Sequence, residues 1–101
     1  MENMWLTKLN YHASTVQNAS ETILEILNQE DLDEQRAQMA LKIVREGHSA
    51  FQAFSHEIRD ADLNSSFYSA ASEVDDAWSN LVQILLEKLL KLQTLHTCIL
   101  E

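Results

Sequence analysis

The sequence predicts an all-α protein, built as an antiparallel three-helix up-down-up bundle. Three observations carry that reading. The 101 residues include no proline and one glycine, whereas an all-β domain draws on both for a turn about every ten residues. Apolar residues recur at steps of three and four along three long segments. Between those segments lie short runs of turn and capping residues. The apolar fraction of 46% and charged fraction of 23% are those of a globular chain. The length suits one domain over residues 1–101, for which folding buries about 65% of the unfolded surface.

The first segment repeats Leu9, Val16 and Ile23 every seven residues. Trp5, His12, Ala19 and Ile26 take the position between, and Leu6, Ala13, Ser20 and Leu27 widen the stripe. This is the pattern of a core-facing helix from about residue 4 to residue 28. The acidic run from Asn28 to Glu34 stops it, and Asp31 or Asp33 can cap the next helix. That second helix carries Ala40, Ile43 or Val44, Gly47, Phe51, Phe54 and Ile58 on one stripe. Ser49 and Gln52 have capping-box spacing, so a break at Gly47 would make four helices. The stripe passes through Gly47 without a phase slip, which favours one continuous helix with the glycine at a close helix approach. Asp60 to Ser66 is the second break. The third helix starts near Ser66 and runs to about Ile99, with Phe67, Ala71, Val74, Trp78, Leu81 and Leu85 facing inward. Ser72 with Asp75 offers a later start.

The last helix has more apolar surface than a three-helix bundle needs. Val74, Trp78, Leu81, Leu85 and Leu92 form one stripe; Val82, Leu86 and Leu89, flanked by Leu90, read as a second. Together they span an arc of about 240°. Each leucine left exposed forfeits ~1.5–3 kcal/mol relative to burial. The expected cover is a second copy, a homodimer through Val82, Leu86, Leu89 and Leu90. A foreign helix, or final turns that fold back, are the alternatives.

Chemistry is hard to find. His12 lies on the core stripe and reads as a hydrogen-bonded structural histidine. His48 and His56 share a helix face, and His56 with Asp60 has i,i+4 spacing, but the Glu-x-x-His pairs of di-iron bundles are missing. Neither His48 nor His56 is followed by the Lys and Gly typical of phosphotransfer domains. Ser49, His56 and Asp60 lie along one helix, with no strained turn to present a nucleophile. Cys98 falls on the polar arc and diverges from His96. No Gly-rich phosphate loop exists. The expectation is a non-enzyme without cofactor or metal.

Charge is the least ordinary feature. Sixteen acids against seven bases give a net charge of −9, which opposes direct contact with nucleic acid or an anionic membrane. Between Arg59 and Lys88 stand Asp60, Asp62, Glu73, Asp75, Asp76 and Glu87, and no base. Helix capping and solvation account for most of them; the functional reading makes Asp60, Asp62, Glu73, Asp75 and Asp76 a docking face for a basic partner. One cysteine, a first stretch without an apolar leader, and no long apolar run point to a cytoplasmic, non-membrane protein.

The expected function is therefore a protein–protein interaction module: a small acidic adaptor, chaperone or protein inhibitor, dimeric, with a basic protein partner. The alternative is a phage-type acidic inhibitor occupying the nucleic-acid site of a host defence enzyme. Six acids in a 28-residue helical stretch give one charge per roughly 7 Å, against ~1.7 Å for duplex DNA. Mimicry therefore requires folding or dimerisation to add acids such as Glu30, Asp31, Asp33 and Glu34 to the same face.

Overall fold

A computed structural model describes the backbone of residues 2–100 and the side chains of residues 3–94. It is all-helical: α1 spans Glu2–Leu27, α2 Glu34–Ile58 and α3 Ser65–Leu100. The 36 residues of α3 make a rod about 54 Å long, which sets the 59 × 20 × 17 Å envelope. The radius of gyration, 16.6 Å, accordingly exceeds the ~13 Å of a round domain of this length.

Local chemistry sets the boundaries. Asp33 is the N-cap of α2, its side chain accepting the Arg36 N–H at 2.8 Å. Asp31, the other candidate, instead pairs with the Arg36 guanidinium at 2.9 Å. Asn64 starts α3, taking both the backbone N–H and the hydroxyl of Ser66 on its Oδ1, so the later start at Ser72 is not used. Between α2 and α3 the chain turns through Asp62, whose φ of 51° is the left-handed region that Asp tolerates better than most residues. Tyr68 ties this turn down. Its hydroxyl donates to the Ile58 carbonyl at 2.8 Å and accepts the Leu63 N–H at 3.1 Å.

The core collects the predicted stripes. Leu9, Val16 and Ile23 of α1 meet Val44, Phe51, Phe54 and Ile58 of α2 and Ala71, Val74, Trp78, Leu81 and Leu85 of α3. Val44 takes the inward place while Ile43, its alternative, is 59% exposed. Around His12 the rings of Phe51 and Phe54 lie 5.5 and 4.9 Å away, centroid to centroid. Among the described residues those aromatic neighbours stand in place of the expected hydrogen bond, and burial pushes the His12 pKa below 6.5, partly offset by Glu57.

The helix α2 is continuous through Gly47, so the four-helix alternative falls away. The reason is Trp78, 1% exposed, whose six-membered ring lies against the glycine through Cη2, Cζ3 and Cζ2. A Cβ at position 47 would sit 2.8 Å from its Cζ3 and 3.0 Å from its Cζ2, inside van der Waals contact. Glycine thus costs α2 ~1 kcal/mol of helix propensity and lets the largest core residue bury. The Trp78 Nε1 is buried without an acceptor among the described residues, a cost of about 1–3 kcal/mol that ring burial offsets.

Candidate interaction surface

The exposed edge of α3 is the first candidate. Leu86 is 44% and Leu90 65% exposed, and their i,i+4 spacing sets them one above the other. Val82 is half-buried against the core. Leu89 is a correction: it is 7% exposed and belongs to the intramolecular core. Four residues after Leu85 and eleven after Trp78, it returns to the inward direction at about 100° per residue. Of the predicted interface only Leu86 and Leu90, with the flank of Val82, are left at the surface. Gln93 of α3 donates to Glu34, the first residue of α2, at 3.1 Å. The α3 backbone then continues helical to Leu100, about two turns past that point.

Exposed charges of both signs stand on α2 and α3. On α2 a shallow depression is lined by Gln38, Leu41, Lys42, Arg45, Glu46 and Ser49. On α3, Gln83 reaches Glu87 at 3.4 Å. Much of the chain's negative charge lies elsewhere.

The five acids proposed as one docking face do not share one. Asp75 turns towards α2, where its Oδ1 accepts from Nε2 of His48 at 2.8 Å. Glu73, two residues earlier, is exposed and points about 200° away around the helix. Asp76 is exposed on the outer side, and Asp60 and Asp62 are in the turn. Glu30, Asp31 and Asp33 lie in the other connection, separated from Asp60 by the ~37 Å length of α2.

Catalytic arrangements remain sparse. Among the described residues no three His, Cys, Asp or Glu side chains gather as a metal site. His48, 18% exposed in its side chain, spends its Nε2 on Asp75, and His56 is exposed on the last turn of α2. The side chains of His96 and Cys98 lie outside the described residues. None of the described helices is long and apolar enough to cross a membrane.

Sequence reasoning missed a crevice at the α2–α3 turn. Leu6, Leu9, Leu63, Phe67 and Ala70 line it, with Asn3, Asn64 and Ser66 at its mouth. Its signals were Leu6, which widens the α1 stripe by one position, and Leu63, an apolar residue inside a polar turn. Comparison with protein-family models, with curated proteins and with solved structures finds no match for this chain.

Proposed function

We propose that this chain, an antiparallel up-down-up bundle, is a non-enzymatic protein–protein interaction module that works as a homodimer. Residues in contact support that path: Trp5 meets Phe54 while Lys8 and His12 meet Glu57 and Phe51. Between the next two helices Tyr68 meets Ile58, Asp75 meets His48 and Gln93 meets Glu34. The observation that carries the dimer is the pair Leu86 and Leu90, 44% and 65% exposed on one edge. Burying both against a second copy regains ~1.5–3 kcal/mol for each that becomes fully buried. The chain carries Lys42 and Arg45 on α2 and Lys88 and Lys91 on α3, bases that can pair with the acids of a like copy despite the net −9. A two-fold axis would place each sign opposite its complement.

The acidic-inhibitor reading has less support. Its acids are spread over two connections at opposite ends of α2 and around nearly half of α3, so one chain does not present a DNA-like row.

Light scattering at micromolar concentration tests the dimer. The expected mass is ~23 kDa, twice the chain's 11.6 kDa. Leu86→Glu with Leu90→Glu should return the monomer while leaving helicity intact, because both side chains are exposed within the single chain. A wild-type monomer under these conditions overturns the reading.

A further inference from the structure

We propose that the crevice between α1 and α3 receives an apolar side chain from a basic segment of a partner protein. The crevice is preformed. Leu9, 4% exposed, makes its floor, Phe67 and Leu63 are partly buried against the core, and Leu6 stands 48% exposed on one wall. The Leu63 wall is held by the bond from its N–H to Tyr68, and the mouth by Asn64, which binds both polar groups of Ser66. A site whose walls are already fixed loses little entropy when an anchor enters.

Charge selects the partner. Asp60 and Asp62 precede Leu63 in the turn, and Glu73, three residues after Ala70, continues the same edge of α3. The nearest lysine, Lys8, is engaged by Glu57 at 3.7 Å and lies over the Trp5 ring at 5.1 Å, on the α2 side of α1. Asp60, Asp62 and Glu73 are exposed, and no Lys or Arg lines the crevice. A second acidic copy is therefore disfavoured here, whereas an apolar anchor flanked by Lys or Arg satisfies both crevice and rim. This surface is at the end of the molecule away from Leu86 and Leu90, so it does not depend on the dimer.

The probe is a fluorescein-labelled helical peptide of leucines flanked by lysines, with two controls: one with every leucine replaced by Gln, one with every lysine replaced by Glu. Binding is read by anisotropy and by methyl NMR of the leucines, on wild type and on the Leu86→Glu/Leu90→Glu form alike. The expected result is saturable binding with methyl shifts centred on Leu6, Leu9 and Leu63. Each control peptide should bind about ten-fold more weakly or worse. Ala70→Phe, which fills the crevice, should weaken binding about ten-fold. Leu6→Gln, an exposed position, should act in the same direction if Ala70→Phe fails to fold. Asp62→Asn with Glu73→Gln should flatten the salt dependence. Shifts centred elsewhere, equal binding of the Gln peptide, or indifference to Leu6→Gln would each overturn the proposal.

Discussion

The two ends of this molecule solve the same packing problem with different materials. At the α2–α3 turn the helices are joined by rings: Trp5, His12, Phe51, Phe54, Phe67 and Tyr68 form a chain of aromatic contacts with centroids 4.9–6.5 Å apart. The turn itself is bonded through Tyr68. At the other end the core is aliphatic, with Ile23, Ala37, Leu41, Leu85 and Leu89, and α3 runs on beyond the start of α2. Rings reach far from the backbone and cover one another, so the core of the turn end is filled within one chain, with Leu6 left 48% exposed at the crevice. Leu86 and Leu90 lie alongside α2, before Gln93, but are turned about 100° from the buried Leu85 and Leu89, so the single chain leaves them exposed. Surplus apolar surface at one end and an open apolar crevice beside an acidic turn at the other are what a molecule with two separate contacts would show.

The joint between the two halves is the Gly47–Trp78 contact, and breaking it should have the largest effect. Gly47→Ala gains ~1 kcal/mol of helix propensity but drives a methyl into a buried ring, for a net loss of about 1–2 kcal/mol. In a Trp78→Leu background, itself costing roughly 3 kcal/mol, the same change should become stabilising. Denaturant midpoints of the four proteins in this cycle measure it. A Gly47→Ala protein more stable than wild type would show that the ring does not set this position.

Tyr68→Phe breaks only the turn end. The Ile58 carbonyl keeps the Ala61 N–H at 3.1 Å, so the main loss is the Leu63 N–H left without its partner, about 1–2 kcal/mol. Hydrogen exchange should rise in the turn and leave the aliphatic end unchanged. Uniform acceleration along the chain would mean the two ends are not separable.

The smallest effect is expected from acid. His12 has a folded pKa below the 6.5 of the unfolded chain, so the unfolded state takes up protons first. The associated stability is complete above that value and is lost as pH falls through it towards the lower folded pKa. Between about pH 7.5 and pH 5.5 the wild type should lose more thermal stability than His12→Gln. Equal losses would assign the pH response to other groups.

Much of this was legible in the residues themselves. The three helices, their caps near Asp33 and Asn64–Ser66, and the core stripes follow from a 3.6-residue repeat and from side chains that bond their own backbone. Position around one helix was also there to be computed: Leu89 belongs with Leu85, and Asp75 diverges from Glu73. What the repeat alone cannot say is which neighbour occupies each direction. That Gly47 lies beneath the Trp78 ring, and that Asp75 spends its carboxylate on His48 of another helix, needed the packed helices. So did the meeting of Leu6 with Leu63 and Ala70, positions more than fifty residues apart in sequence. Helix formation is governed by neighbours within four residues, whereas a crevice or an interhelical bond exists only after distant segments have been brought to the same place.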